Sequence, residues 1–357
     1  MTQILLFISL LFFIGCGGES SSSNSIADTN NTASQEPYYY QQWYLDKNET
    51  FYAQNGIDAN ANIHPDNLLN VYSGKKVKIA VIDDGLDVTH EDLEGAIIHT
   101  YDSQTKSTDV SQTNQADNHG TAVTGIIGAR VNKKGIKGIA SSSEIIFLKY
   151  KESMSDSETM ELFSKAAEFG ADIINCSWGT YDVSDAVKAK IQDLSINGRN
   201  GKGIVVVFAS GNDDKDMGND ESAIPEVIAV GATEKDNLRA WYSNYGTNLD
   251  IVSPGGYDVG ITTLDEMGSR GMASLDENYI LYNDFNSFIG TSASAPIVSG
   301  VIALMLEKNP NLTRVQIDNI LKSTSDKIGK LSYDGDRRND YYGYGKINLA
   351  KIISSIQ

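Results

Sequence analysis

Four histidines occur in the chain, His64, His90, His99 and His119, and histidine is the side chain best suited to moving protons near neutrality. Three of them stand in unremarkable polar contexts. His119 opens an expected helix in Asn118-His119-Gly120-Thr121, where Gly120 leaves room for a close-approaching chain. Ser292 lies in Gly290-Thr291-Ser292-Ala293-Ser294-Ala295-Pro296, just ahead of an apolar helix. Its backbone N–H and the positive end of that helix would meet a developing negative charge. Asp83 ends a buried strand in Val81-Ile82-Asp83-Asp84-Gly85. Singly, each has an ordinary explanation, since serine caps helices and Asp-Gly makes turns. Together they supply the parts of serine hydrolysis: a nucleophile, a base to take its proton, and an acid to orient the base.

Such groups act only if the fold brings them together. Apolar, β-branched runs predict strands over 77–82, 144–150, 171–177, 204–209, 227–230 and 249–252. Several are apolar on both faces, as buried parallel strands are. Helices are expected over 119–131, 158–169, 183–197, 294–308 and 313–323, and Gly201-Lys202-Gly203 punctuates one helix-to-strand joint. The alternation predicts an α/β fold, a doubly wound, mainly parallel sheet flanked by helices on both faces. Asp83, Ser177-Trp178-Gly179 and Ser210-Gly211-Asn212 each follow a strand directly, so all three segments reach the sheet edge where α/β sites form. No internal linker divides 36–357, which reads as one domain large enough to fold without disulfides.

The order Asp, His, Ser in these local sequences resembles the subtilisin-like serine proteases, whose triad runs in that order. The likeness is carried by Ala80-Val81-Ile82-Asp83-Asp84-Gly85, by Asn118-His119-Gly120-Thr121-Ala122-Val123-Thr124-Gly125 and by the Ser292 segment. Ala209-Ser210-Gly211-Asn212 matches the family's oxyanion-hole loop. The resemblance implies a serine endopeptidase working through an acyl-enzyme, with Asn212 and the Ser292 N–H holding the oxyanion. It sharpens toward the kexin-like proprotein convertases. Gln41-Gln42-Trp43-Tyr44-Leu45 is similar to the opening strand of that branch, and Asp83-Asp84-Gly85-Leu86-Asp87 and Ser177-Trp178-Gly179 follow it as well. There Asp84 would hold a basic P2 side chain, and Asp182, with Asp213, Asp214 or Asp220, would face a basic P1 residue through charge-assisted pairing. Ser177, Trp178 and Gly179, with Ala209, Ser210 and Gly211, would pair with the extended substrate backbone. Asp92 and Asn132 match the family's structural Ca2+ site. Glu36 would add a ligand, and the loop Arg130, Lys134 and Ile136 would contribute backbone oxygens, a hard oxygen set that suits Ca2+.

Composition narrows the setting. Of 357 residues, 29 are basic and 47 acidic, a net charge of −18 that speaks against nucleic-acid binding. Residues 1–15 read as a signal peptide, with an apolar run over 4–14 too short to span a bilayer. Phe13-Ile14-Gly15-Cys16 resembles a bacterial lipobox, which implies a lipid on Cys16 and an enzyme held at a membrane, facing the periplasm or cell surface, and a monomer is expected. Residues 16–35 then form a polar, flexible tether. Cys176, the second of two cysteines, reads as a buried inert thiol. Neither a folded pro-segment nor a C-terminal β-rich domain, both common among such proteases, is expected within these 357 residues. The span 255–287, with Gly268-Ser269-Arg270-Gly271 on its surface, has no assigned role. Two rivals remain in view. A catalytically silent binding module on the same fold would lack site residues that are present, and an esterase would carry the Gly-x-Ser-x-Gly elbow that is absent.

Overall fold

Runs of β-branched residues bounded by glycine and polar turns become the central sheet. The computed structural model describes residues 36–114, 117–151 and 153–357; the expected signal peptide, Cys16 and the expected tether lie outside them. The strands are β1 (Lys78–Asp83), β2 (Ile97–Asp102), β3 (Glu144–Lys149), β4 (Ile173–Cys176), β5 (Val205–Ala209), β6 (Ile228–Thr233) and β7 (Ile251–Pro254). They form one sheet in the order β2-β3-β1-β4-β5-β6-β7, and every pairing is parallel. A two-stranded ribbon, β8 (Thr263–Leu264) with β9 (Tyr279–Ile280), is antiparallel and separate.

The helices are α1 (Glu49–Asn55), α2 (His119–Gly128), α3 (Asp156–Glu168), α4 (Asp185–Gly201), α5 (Thr291–Lys308), α6 (Arg314–Thr324) and α7 (Leu349–Ser355). Period-two alternation along β1 splits the core. Ile79 and Val81 pack on one face with Val123 and Ile126 of α2 and Val298 and Val301 of α5. Ala80 and Ile82 face the other way, against Leu162 and Phe163 of α3 and Val187 and Ile191 of α4. The doubly wound architecture is therefore as expected. Helix α5 is buried at every position from Ala293 to Leu306, as a helix apolar on all sides must be.

Some details differ from expectation. Strand β2 gives no two-sided apolar signal because it is a half-exposed edge, carrying His99 and Thr100. Residues 41–45 do not form a strand. A 3₁₀ turn, Tyr39–Gln41, precedes two fully buried aromatics, whose polar tips reach inward. Trp43 Nε1 donates to Gly260 O at 3.0 Å and the Tyr44 hydroxyl to Thr262 O at 3.1 Å. The helix expected from 294 begins at Thr291, behind Gly290 at φ 120°, so Ser292 sits inside its first turn. In α4 the helical geometry breaks at Gly198, Arg199 and Asn200, close to the expected end. Among the described residues, no helix is long and apolar enough to cross a membrane.

A close approach that bears on the site lies where α2 presses on β1. A Cβ on Gly120 would stand 2.4 Å from Gly85 O, 2.6 Å from Phe147 Cζ and 2.9 Å from Asp83 Cβ. Gly120→Ala is therefore expected to cost about 1–3 kcal/mol by overpacking, read as a lower urea midpoint. An unchanged midpoint would contradict this packing.

Candidate active site

Strand order reverses at β1, with β3 on one side and β4 on the other, and α/β sheets open a crevice at such a point. Asp83 stands at the C-terminal end of β1 and is fully buried. Its Oδ1 accepts the Asp84 N–H at 2.9 Å and lies 2.8 Å from His119 Nδ1, at the first position of α2. A carboxylate can only accept, so Nδ1 carries the proton and Nε2 is the basic nitrogen. The imidazole leans on Phe288 with ring centroids 5.4 Å apart. Burial disfavours charge on His119, but the Asp83 carboxylate outweighs it, with Asp84 adding, and the ring is held up at about 9.

Asp84 is buried beside this pair and gives Oδ1 to the Gly120 N–H at 2.8 Å. Burial first, and then the Asp83 charge, push its carboxyl up to about 8. Its Oδ2 is buried with no hydrogen-bond donor among the described residues. Asp83, Asp84 and His119 are the one cluster of this kind close enough to share a metal among the described residues. Its Asp83–His119 hydrogen bond ties up Asp83 Oδ1 and His119 Nδ1.

Ser292 arrives from the opposite element, the first turn of α5. Its hydroxyl donates to Ser177 O at 3.0 Å, and the Ser177 hydroxyl donates to Ser292 O at 3.1 Å. No hydrogen bond joins Ser292 to His119 among the described residues. The Ser177 contact rests on a buried chain that the sequence did not reveal. Asn175 Nδ2 donates to Ser177 Oγ at 3.1 Å, and the Ser299 hydroxyl donates to Asn175 Oδ1 at 2.8 Å. Asn212 follows β5, and its Oδ1 accepts both the Thr291 N–H and the Thr291 hydroxyl at 2.9 Å. That fixes the amide so that Nδ2 is the free end, beside Gly290 and ahead of Ser292.

The expected substrate-lining segments sit where their strands end. Trp178 is nearly buried and donates Nε1 to Ile82 O at 2.8 Å. Ser210 N–H goes to Val230 O and Gly211 N–H to Thr291 Oγ1 at 3.1 Å. The acids divide. Asp182 is exposed and accepts from Asn219 at 2.9 Å, whereas Asp214 is taken up by Arg239. Asp213 accepts the Tyr181 hydroxyl. Asp220 is buried under the 179–181 loop and accepts the Tyr181 N–H at 2.8 Å. Beside it, Glu221 accepts the Thr180 N–H at 3.0 Å, and burial followed by Asp220 pushes its carboxyl up to about 7. Glu221 and Asp117 were not expected at the site. The place of Asp117, two residues before His119, is the signal that points to it.

The residues matched to a Ca2+ site do converge. Glu36 gives its two oxygens to the Lys133 and Lys134 N–H groups at 2.9 and 2.7 Å, closing the loop onto the N-terminal segment. Asn132 Oδ1 also accepts the Lys134 N–H, at 3.0 Å. Asp92 accepts the Ile136 N–H at 3.1 Å through Oδ2. Its Oδ1 is buried with no donor among the described residues. Burial pushes the Asp92 carboxyl up, and the Glu36 charge adds to that. The Lys134 ammonium turns to Glu91 at 3.2 Å, and the Arg130 guanidinium to the carbonyls of Ser141, Gly95 and Ser143. Two facing acids and an orphaned oxygen fit a hard divalent cation.

A profile described as the "Subtilase family" matches residues 74–345. The chain is 34% identical over 340 residues to the "Calcium-dependent protease" of Trichormus variabilis, covering 87% of this chain and 50% of that one. It is 33% identical over 291 residues to the "Subtilisin" of Bacillus pumilus, covering 78% and 91%. The serine protease of Aeromonas sobria has a similar fold, with a TM-score of 0.77 at 20% identity over 95% of this chain and 70% of that one. The chain spans about half the length of the calcium-dependent proteases it matches. It belongs to the subtilase family.

The Asp83–His119 pair makes a prediction of its own. The folded histidine titrates above the free value of 6.5, so its stabilisation is complete below about pH 6.5 and is lost as pH rises through about 9. Imidazole NMR resonances of His119 are expected to titrate near pH 9. A midpoint at or below 6.5 would contradict the pairing.

Proposed function

We propose that this subtilase is a serine endopeptidase in which Ser292 attacks the scissile carbonyl, His119 Nε2 takes its proton, and Asp83 orients the imidazole. What carries the reading is the convergence at one sheet edge of the 2.8 Å Asp83–His119 hydrogen bond with Ser292 in the first turn of α5. For attack, the Ser292 hydroxyl leaves Ser177 O and turns to His119. The protonated imidazole then gives its proton to the leaving amine, and water releases the acyl group by the same steps. The Ser292 N–H and Asn212 Nδ2 receive the oxyanion, and the Asn212 amide is preorganised because Thr291 already holds its other end. A base held up at about 9 implies a rate that rises with pH across the neutral range.

The preference we propose is for basic side chains, with Asp84 toward P2 and the acids around the 179–181 loop toward P1, as in the kexin-like branch. The buried, donor-free Asp84 Oδ2 supports it, as does the location of Asp213 and Asp220 against Tyr181. We also propose a structural Ca2+ held by Glu36, Asp92 and Asn132, with backbone oxygens from 130–136. The ion would neutralise two acids that otherwise repel. The matched proteins named "Calcium-dependent protease" support this reading. From residues 1–35 we propose export and a lipid on Cys16, so that the domain over 36–357 works as a tethered monomer at a membrane surface.

Ser292→Ala is expected to abolish cleavage of a protein substrate, and Asn212→Ala to slow turnover by about two to three powers of ten. An active Ser292→Ala variant would remove the serine from the mechanism. Chelation with EDTA is expected to lower the thermal midpoint, and excess Ca2+ to restore it, by about 2.7 kcal/mol at a hundredfold excess over Kd. Asp92→Ala should show no such response. An equal response in that variant would place the ion elsewhere.

A further inference from the structure

The segment joining β8 to β9 contains the Gly268-Ser269-Arg270-Gly271 stretch that sequence analysis leaves without a role. Two carboxylates set its path. Asp265 accepts the N–H groups of Glu266 and Ala273 at 2.9 and 2.7 Å, which closes 265–273 into a turn. Asp87 accepts the Met267 N–H at 3.1 Å, which lays that turn against the chain leaving β1. The Asp87 N–H goes on to Thr121 Oγ1 at 3.0 Å, two residues beyond His119. The insertion is thereby fixed beside the helix start that carries the histidine.

Glu266 points inward from this turn and is 1% exposed. Its Oε1 meets the Arg270 guanidinium at 2.7 Å, while Oε2 is buried with no donor among the described residues. Asp84 Oδ2 is in the same condition. Burial pushes the carboxyls of both Asp84 and Glu266 up, and the charge of Asp117 adds to each. Asp87 ties the turn that carries Glu266 to the chain leaving Asp83 and Asp84, so the two orphaned oxygens belong to neighbouring segments. Arg270 is the cation paired with Glu266, and its side chain is 61% exposed. Breaking a solvent-exposed pair costs the arginine little. Leaving the buried glutamate unpaired costs much more. Arg270 can therefore leave cheaply, provided another cation takes its place.

We infer that the turn carrying Glu266 and Arg270, fixed beside the start of α2, binds a lysine or arginine side chain of a peptide substrate, with Glu266 as its anchor and Arg270 as the resident cation that the substrate displaces. The site rests on the endopeptidase reading and extends it, because it assigns specificity to an insertion outside the triad and the strand-pairing segments. The test is cleavage of a peptide library randomised on both sides of the scissile bond by wild type, Glu266→Gln and Arg270→Ala. At one library position, Glu266→Gln is expected to lower the Lys/Arg preference about tenfold, and Arg270→Ala to raise it. A Glu266→Gln profile equal to wild type, or a loss spread evenly over all positions, overturns the site. Should Glu266→Gln fail to fold, an unchanged preference in the exposed Arg270→Ala variant overturns it equally. Casein hydrolysis by wild type separates the two layers. No hydrolysis sinks the endopeptidase reading, whereas hydrolysis with unchanged profiles sinks only the Glu266 site.

Discussion

A single hydrogen bond, from His119 Nδ1–H to the buried Asp83 carboxylate, sets the terms for the rest of the site. It can form only if α2 starts against the end of β1, and that approach is possible because Gly120 has no side chain. Once formed, it decides which imidazole nitrogen is basic. It also places a carboxylate where burial would otherwise be costly, and the backbone N–H of Asp84 shares the load. Asp84 then stands as a buried second acid, and burial first, with the charge of Asp83 after it, displaces its carboxyl upward.

The nucleophile comes from a different constraint. Helix α5 runs through the core, and its fully buried middle makes the position of its first turn rigid. Gly290 turns the chain in, Asn212 holds the Thr291 N–H, and the Ser299–Asn175–Ser177 chain ties α5 to the end of β4. Buried polar networks of this kind are costly unless every member is satisfied. Here the last link is the Ser292 backbone itself. The fold thus delivers base and nucleophile from two helices that pack on the same face of the sheet, and their relative position follows from core packing rather than from flexible loops.

Much of this was legible in the sequence, and the limits were physical. Strands β1 and β3 to β7 announce themselves because burial on both faces demands unbroken apolar runs. Strand β2, an edge with one wet face, does not. Asp83, His119, Ser292 and Asn212 lie at strand ends and helix starts, where short motifs persist. Asn175 and Ser299 stay hidden, since a polar residue in an apolar run shows no partner until the chain has folded. The 41–45 segment misleads for a related reason. Trp43 and Tyr44 are buried by the 260–262 chain rather than by strand pairing, a contact some two hundred residues distant in sequence. Among the acids, charge alone did not distinguish Asp214, committed to Arg239, from Asp220, buried under the 179–181 loop.

The account stands or falls on Ser292 being a nucleophile activated by its surroundings, since an ordinary serine hydroxyl does not react with a phosphonyl fluoride. The most direct measurement is mass spectrometry of the full chain after treatment with a fluorophosphonate, with the adduct located by peptide mapping. The account predicts one phosphonyl group, on Ser292, and its loss when His119 is replaced by alanine. An unmodified protein, or an adduct on another residue, would contradict it.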